Sequence, residues 1–266
     1  MQCSQDLTRR SIVVMPTLKR TEFLALSLEK LSQVQFEQVF DVHIYLDTCS
    51  EEKLDETEYV RDTYFPDAYI FRAGKHIDAP SGTWNILHAL KSGYEIGADY
   101  IFIVEEDVFC YPDYMSWHLA AQASGDYFAT CGRLKKEYRS VFYTNPGSCF
   151  HRDKLGLVVP HINDSYFADR KGYLESHFGS IEDCGDLDDG LIRRVINSVG
   201  GIVKYPDPAV VAHSGFWAYN KLTQYKTHGT IQERIEQLRN MLPGLNPKDR
   251  YLKDWEPYRW ARQRIS

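Results

Sequence analysis

The stretch YIFIVEEDVF, residues 100–109, runs five apolar residues directly into three consecutive carboxylates. A short apolar run of this kind is typical of a buried strand in a parallel sheet. Three negative charges at its end repel one another unless a cation lies between them. The stretch therefore predicts a buried strand whose carboxyl end holds a cation.

Predicted strands and helices alternate along the first half of the chain. SIVVMPT is a β-branched run that Pro16 stops, and Leu24, Leu28 and Leu31 then recur at helical spacing. The predicted strands are 11–17, 41–47, 68–73 and 100–104, and the predicted helices are 21–33, 51–65 and 81–97. This β-α-β-α-β-α-β order predicts an α/β fold, with a mostly parallel central sheet and helices on both faces.

The second half of the chain is less regular. Helices are predicted at 112–125 and 187–201, strands at 126–132 and 203–215, and a strand or turn leading into a short helix at 145–158. After Gly215 the pattern becomes aromatic and basic, with a helix predicted at 230–241. We therefore predict one domain, residues 1–219, followed by a basic, aromatic and mostly helical extension, residues 220–266.

The composition excludes several classes of protein. With 266 residues and 43% hydrophobic content, the chain can build a real core. No run approaches the roughly 18 apolar residues of a membrane span, and the N-terminus lacks the apolar stretch of a signal peptide, so the cytoplasm is the expected compartment. Six cysteines are scattered without CxxC pairs, which favours reduced thiols over a zinc site or a disulfide framework.

Charge is distributed unevenly along the chain. The net charge is −6, but residues 220–266 hold ten basic and five acidic residues and carry about +5, which leaves about −11 for the rest. Such a tail can contact phosphates or an acidic surface, or it can pack as a solvated helix face on the main domain. The sequence leaves both open.

Polar residues follow three of the predicted strands. Thr17 and Arg20 follow the first, Asp47 the second, and the acids at 105–107 the fourth. Ligands bind at the carboxyl ends of parallel strands, so these groups are expected to converge on one crevice. No GxGxxG and no GxxxxGKS/T follows any strand, which removes the two commonest phosphate-binding loops. Phosphate would have to be neutralised by another group.

The acidic triplet has the spacing of a metal site. Glu105 and Asp107, two residues apart, can present two oxygens on one side of the chain. Mg²⁺ and Mn²⁺ bind such groups through one or two carboxylates and the oxygens of a substrate phosphate. The alternative is that acids after a strand only cap the next turn. Charge repulsion within the triplet favours the metal site.

The segment VEEDVFCYPDY places a short apolar stretch and Pro-Asp-aromatic after the acidic triplet. It resembles the metal-binding DXD-type segment of GT-A glycosyltransferases, and of the N-acetylglucosaminyltransferase I family in particular. VVMPTLKR is similar to the family's first strand and helix, whose arginine contacts the uracil, which implies that role for Arg20. IYLDTCS is similar to the family's second strand end, which implies that Asp47 binds the nucleobase.

Two later segments extend this resemblance. LDDGLIRR is similar to the family's Asp-Asp segment, which begins a helix and supplies the catalytic base. Asp189 is the candidate for that role, and Asp188 is the near alternative. VVAHSGF resembles the histidine segment that closes the site in many of these enzymes, which implies that His213 is a metal ligand. These motifs occur in the right order across most of residues 11–217.

The resemblance implies metal-dependent transfer of a sugar from a nucleotide sugar, expected to be a UDP-sugar, with Mn²⁺ or Mg²⁺ as cofactor. Asp107 would hold the ion directly, and His213 would complete its shell. Glu105 or Glu106 would orient the ribose or a metal-bound water. Asp189 would accept the proton of the acceptor hydroxyl. One carboxylate as base, with no second as nucleophile, implies inversion at the anomeric carbon.

The remaining contacts to the substrates are less defined. Thr17, at the first strand end, is expected to contact the donor. Trp217, beside His213, is expected to stack on the sugar or the base. The acceptor is expected to be a glycan, a protein side chain or a hydroxymethylated DNA base, and the basic tail makes DNA admissible.

Other functions remain open on the residues alone. A nucleotidyltransferase usually carries a glycine-rich loop after its first strand, and VVMPTLKR contains no glycine. A metal-dependent nuclease or phosphatase could use the same acids, and a non-catalytic module could bind a nucleotide sugar without turnover. The site residues also have structural alternatives, Asp189 as a helix-start acid and His213 as a core histidine.

Overall fold

A seven-stranded sheet forms the centre of the fold. The computed structural model describes residues 10–18, 20–47, 51–74, 78–133, 143–180, 185–214 and 227–242. The strands are β1 (Ser11–Thr17), β2 (Phe40–Leu46), β3 (Tyr69–Arg72), β4 (Tyr100–Ile103), β5 (Val108–Cys110), β6 (Ala129–Cys131), β7 (Ser148–His151), β8 (Val203–Lys204) and β9 (Val211–His213). The central sheet has the order β3-β2-β1-β4-β7-β6-β8, and β5 and β9 form a separate two-stranded sheet. In the central sheet β7 alone runs antiparallel to its neighbours.

Helices cover both faces of the central sheet. They are α1 (Thr21–Ser32), α2 (Glu51–Tyr64), α3 (Ser81–Glu95), α4 (Tyr114–Ala123), α5 (Arg152–Leu155), α6 (Asp164–Ala168), α7 (Arg170–Phe178), α8 (Asp188–Ser198) and α9 (Ile231–Met241). Helices α1, α2, α4 and α9 contribute to one hydrophobic core, and α3 with α5–α8 contribute to the other. The predicted α/β class, with a mostly parallel sheet between two helical layers, is confirmed. Over the described ranges, no helix has both the length and the apolar character that a bilayer crossing requires.

The central strand β1 shows why the sheet forms here. All seven of its residues are buried, as the unbroken β-branched run predicts for a strand covered on both faces. Val14 is the last β1 residue in register with β4, whereas pairing with β2 continues to Thr17. Pro16 therefore falls where β4 has already ended, so its missing N–H disrupts no ladder on that side.

Three features of the second half differ from the prediction. The single strand predicted at 203–215 is two strands in different sheets, β8 and β9. A further short strand, β5, follows the acidic triplet and pairs with β9. Helices α6 and α7 were not expected, because each is short and carries little helical periodicity.

Helix α9 forms where the sequence predicts a helix, at 230–241. A capping box between Thr230 and Glu233 starts it, and Ile235 and Leu238 bury one face in the core beside α1. The boundary at residue 219 stays a prediction. Residues 215–226 and 243–266, which include Trp217 and most of the basic residues of the tail, lie outside the described ranges.

Candidate active site

The acidic turn after β4 carries its own counter-ion. Glu106 and Asp107 are each 1% exposed, and Arg20 reaches both of them. Its Nε donates to Glu106 Oε1 at 2.5 Å, and one terminal nitrogen donates to Asp107 Oδ2 at 3.2 Å. The backbone N–H of Leu18 donates to the second oxygen of Glu106 at 2.6 Å. The charge repulsion that favoured a metal site is therefore weaker than the sequence suggests, because Arg20, which follows β1, neutralises part of the charge of the triplet.

Neighbouring acids in this turn titrate in opposite directions. Burial raises the pKa of Glu106 to about 7, although Arg20 and the Leu18 N–H favour its ionised form. Burial also acts on Asp107, but His213 and Arg20 outweigh it and lower its pKa to about 2. Asp107 is therefore an anion at neutral pH.

The small β5–β9 sheet brings His213 to Asp107. His213 lies opposite Val108 in the ladder, directly beside the acidic turn. Ser214 donates its backbone N–H and its hydroxyl to the carbonyl oxygen of Asp107, at 2.9 and 3.1 Å. These bonds leave His213 Nε2 3.5 Å from Asp107 Oδ1. Asp107 and His213, two of the three residues predicted to form a metal site, are thus neighbours, although more than a hundred positions separate them in the chain.

Two glycines allow β9 to approach the central sheet this closely. A Cβ on Gly147 would lie 2.7 Å from Val211 Cγ1, and one on Gly132 would lie 2.9 Å from the same atom. Gly147 also has a φ of +63°, which side-chain-bearing residues rarely adopt. The carbonyl of Gly132 accepts the backbone N–H groups of Val210 and Val211. The position of His213 therefore depends on glycine at both sites.

The donor set suits a divalent cation only in part. Among the described residues, no three His, Cys, Asp or Glu side chains are grouped as a preformed metal site. Asp107 Oδ1 is nevertheless buried without a hydrogen-bond partner, since His213 at 3.5 Å is too distant for a strong one. An orphaned carboxylate oxygen facing an imidazole can supply two ligands to Mn²⁺ or Mg²⁺, and both ions commonly take the rest from water and phosphate.

The ends of β1 and β2 are tied together beside this turn. Asp47, 5% exposed, donates its backbone N–H to the carbonyl of Thr17 at 3.1 Å. Asn85, from the first turns of α3, donates its side-chain amide to the carbonyls of Thr17 and Tyr45 at 3.2 and 2.8 Å. The Thr17 hydroxyl bonds to the carbonyl of Met15 in its own strand. Asn85 was not predicted, because a single amide within a helix shows no pattern in the sequence; the structure places it fully buried.

The acids that begin α8 are held by residues from two other segments. Asp188 accepts hydrogen bonds from Thr83 Oγ1 at 3.2 Å and from the side-chain amide of Asn145. Asp189 accepts the backbone N–H of Asn145 at 3.1 Å and pairs with Arg193 at 3.3 Å. Burial raises the pKa of Asp188 against the hydrogen bonds that it accepts. Sequence patterns gave no indication of Thr83 or Asn145.

The charges of both acidic groups act on Glu105, whose side chain is partly exposed. Burial raises the pKa of Glu105 well above its ordinary value, and the charges of Asp107, Asp188 and Asp189 raise it further, in that order. The first strand end, the acidic turn and the start of α8 therefore share one electrostatic site at the carboxyl ends of β1 and β4. The roles predicted for these residues stay predictions.

Comparison with known proteins finds similarity in fold but none in sequence family. No known family profile matches the sequence, and no curated protein sequence matches it. TarS 1–349 of S. aureus, in complex with UDP-GlcNAc, is 13% identical over 76% of this chain and 57% of its own, with a TM-score of 0.49. The mannosyltransferase PcManGT from Pyrobaculum calidifontis, in complex with GDP-Man and Mn²⁺, is 13% identical over 76% of this chain and 56% of its own, with a TM-score of 0.49.

A third similar structure is glucosyl-3-phosphoglycerate synthase from Mycobacterium tuberculosis, in complex with Mn²⁺, UDP and phosphoglyceric acid. It is 10% identical over 77% of this chain and 71% of its own, with a TM-score of 0.48. This chain spans less than two thirds of the length of TarS 1–349 and of the mannosyltransferase. The likenesses concern the course of the chain and assign no role to any residue.

Proposed function

We propose that this protein is a metal-dependent, inverting glycosyltransferase that transfers a sugar from a nucleotide sugar, a UDP-sugar, to an acceptor hydroxyl. One observation carries the proposal. Two groups of acids from distant parts of the chain lie at the carboxyl edge of a parallel sheet, one directly after β4 and one at the start of α8, which the first turns of α3 join to the end of β1 through the Thr83–Asp188 and Asn85–Thr17 hydrogen bonds. One group suits a cation that neutralises a diphosphate, and the other suits a general base.

The residues of the acidic turn have different proposed roles. Asp107 and His213 would hold the divalent ion, which supplies Lewis-acid neutralisation of the leaving diphosphate when it is bound. Both oxygens of Glu106 already accept hydrogen bonds, from Leu18 and Arg20, so Glu106 organises the turn. Glu105, partly exposed, is then the acid that assists Asp107 at the ion or the ribose.

The donor's nucleoside would lie against the ends of β1 and β2. The resemblance to the N-acetylglucosaminyltransferase I family gives Arg20 and Asp47 contacts to the nucleobase, and the carbonyl of Thr17 accepts the backbone N–H of Asp47. Asn85 supports this assignment indirectly, because its amide fixes the two strand ends relative to each other. Trp217, proposed to stack on the donor, lies outside the described residues.

Transfer requires one proton acceptor and no nucleophile from the protein. The acceptor oxygen forms a bond to the anomeric carbon while its proton passes to Asp189. The bond from that carbon to the diphosphate breaks, and its electron pair leaves with the diphosphate. Because one displacement occurs, the configuration inverts. The acceptor would be a glycan, a protein or, through the basic residues of the tail, a hydroxymethylated DNA base.

A donor screen tests the proposal. Thermal unfolding is measured with UDP-glucose, UDP-galactose, UDP-GlcNAc and GDP-mannose, each with and without Mn²⁺. A donor at a hundred times its dissociation constant stabilises the fold by about 2.7 kcal/mol, which raises Tm by about 5 to 10 °C in a chain of this size. We expect one donor to do so in Mn²⁺ and to release nucleoside diphosphate slowly to water.

Asp107→Asn should abolish the Mn²⁺-dependent shift and the hydrolysis, because it removes the anionic oxygen beside His213. Asp126→Asn is the matched control, since that aspartate is 86% exposed and pairs with Lys154 on the surface. If no donor shifts Tm or is hydrolysed, the proposed function is wrong. Full activity in Asp107→Asn would remove that residue from the metal site.

A further inference from the structure

Asn145 contacts both acids at the start of α8. Its backbone N–H donates to Asp189 Oδ1 at 3.1 Å, and its side-chain amide donates to Asp188 Oδ2. Asn145 is 4% exposed, and its side-chain contact with Asp188 is made away from bulk water. A single residue in the loop before β7 therefore fixes the relative position of the two candidate bases.

Asp188 is also held from the opposite side. Thr83, in the first turn of α3, donates its hydroxyl to Asp188 Oδ1 at 3.2 Å. Each oxygen of Asp188 thus accepts a hydrogen bond, and the residue is 8% exposed. The side chain of Asp189, the next residue, is 34% exposed. Of the two acids, Asp189 is the one that an acceptor can reach.

We infer that Asn145 is a positioning residue, which anchors α8 through Asp188 and directs Asp189 toward the acceptor hydroxyl. The inference rests on the proposed function, in which one of the two acids removes a proton. Asp188 acts through its hydrogen bonds to Thr83 and Asn145. An uncharged side chain of the same shape at position 188 should therefore hold α8 nearly as well as the aspartate does.

Isosteric amides at the two acids separate these roles. Asp188→Asn can still accept the Asn145 amide on its carbonyl oxygen and can donate its NH₂ to the Thr83 hydroxyl. It should keep kcat for donor hydrolysis within about tenfold of wild type. Asp189→Asn loses the base and should lose about a thousandfold, which is within the usual range for general base catalysis. The assay is nucleoside diphosphate release from the donor that gives the largest thermal shift.

Asn145→Asp tests the positioning residue itself. This change places a second carboxylate beside that of Asp188, and their repulsion should displace the start of α8. We therefore expect kcat to fall about a hundredfold with the KM for the nucleotide sugar unchanged. Adding Asp188→Asn restores a hydrogen-bonded amide–carboxylate pair, in which position 188 now donates the hydrogen bond and position 145 accepts it. The double variant should return kcat to within about tenfold of wild type. A residue that only maintained the fold would lower stability and leave the kcat of the folded protein unchanged. Thr230→Ala, which removes the α9 cap, is the control that lowers stability without lowering kcat.

Urea unfolding of the same variants tests the contact independently of catalysis. The unfolding equilibrium constants should show at least tenfold coupling between positions 145 and 188, because each change alters the partner of the other. Absence of coupling would overturn the inference even in an active enzyme. So would an Asp188→Asn variant as inactive as Asp189→Asn, or a double variant no better than Asn145→Asp. A wild type that turns over no donor, with the coupling intact, would instead refute the proposed function and with it the base role of Asp189.

Discussion

Replacing Arg20 with methionine would remove the guanidinium that joins β1 to the acidic turn. In the wild type this group contacts Glu106 at 2.5 Å and Asp107 at 3.2 Å, and both carboxylates are almost fully buried. Methionine retains much of the aliphatic stem beside Phe23, over whose ring the guanidinium lies at 5.0 Å. The change therefore tests the charge more than the packing.

Removing one partner of a buried ion pair costs about 3 to 5 kcal/mol, because the other charge is left without compensation. The Arg20 side chain is 22% exposed, so water replaces part of the lost interaction. We therefore take the lower end of the range, about 3 kcal/mol in the free energy of unfolding. That is more than a hundredfold in the unfolding equilibrium constant.

The assay is urea unfolding at pH 7, with Arg239→Met as the matched control. Arg239 also contacts two carboxylates, Glu29 at 2.7 Å and Glu236 at 2.5 Å, but its side chain is 40% exposed. Such exposed pairs contribute less than about 1 kcal/mol each, so the control should lose little. Equal losses in the two variants would refute the reasoning, because they would mean that burial of the acidic turn does not amplify the charge interaction.

Two further predictions concern the frame around the site. Burial lowers the pKa of His118 from 6.5 to about 3, so between these values the unfolded chain binds a proton that the folded chain does not. Stability is lost as the pH falls through this window, and from pH 7 to pH 5 the wild type should lose about 2 kcal/mol more than His118→Asn in urea unfolding. If the wild type and His118→Asn lost the same unfolding free energy between pH 7 and pH 5, His118 would not be the cause of the pH dependence. Gly147→Ala adds a Cβ at a positive φ, 2.7 Å from Val211 Cγ1. It should cost about 2 kcal/mol and weaken Mn²⁺-dependent stabilisation by moving His213, and a normal Mn²⁺ response would show that His213 is not positioned in this way.

The parts of the fold that were predicted from sequence are those with local signals. The leucines of α1 and the unbroken apolar runs of β1 and β4 identify their elements without reference to the rest of the chain. The sequence also predicts that Arg20 and the acids at 105–107 lie at the same crevice, since parallel strand ends share one edge of the sheet. What the sequence could not show was that Arg20 would meet those acids directly.

The parts that were not predicted depend on long-range pairing. Strands β5 and β9 have three residues each, too few to show an alternation, and they exist because they pair with each other. Asn145 and Asn85 are single amides without a surrounding pattern, and their contacts lie between 40 and 68 positions away. Such residues become visible only when their hydrogen-bond partners are known, because their role consists of those bonds.

Glu106 and Asp107, two of the three acids of the opening stretch, show how different partners give neighbouring carboxylates different roles. Arg20 neutralises the charge of Glu106, and both oxygens of Glu106 accept hydrogen bonds, so this residue stabilises the turn. Asp107 keeps one buried oxygen without a hydrogen-bond partner, directed at His213, so it retains capacity for a cation. Asp188 and Asp189, at the start of α8, both accept a hydrogen bond on each oxygen, and they differ in exposure, since Asp188 is 8% exposed and the side chain of Asp189 is 34% exposed. At the start of α8 the buried acid is held by two uncharged partners, one of them a hydroxyl that can also accept a hydrogen bond, so Asp188→Asn should preserve activity far better than Asp189→Asn.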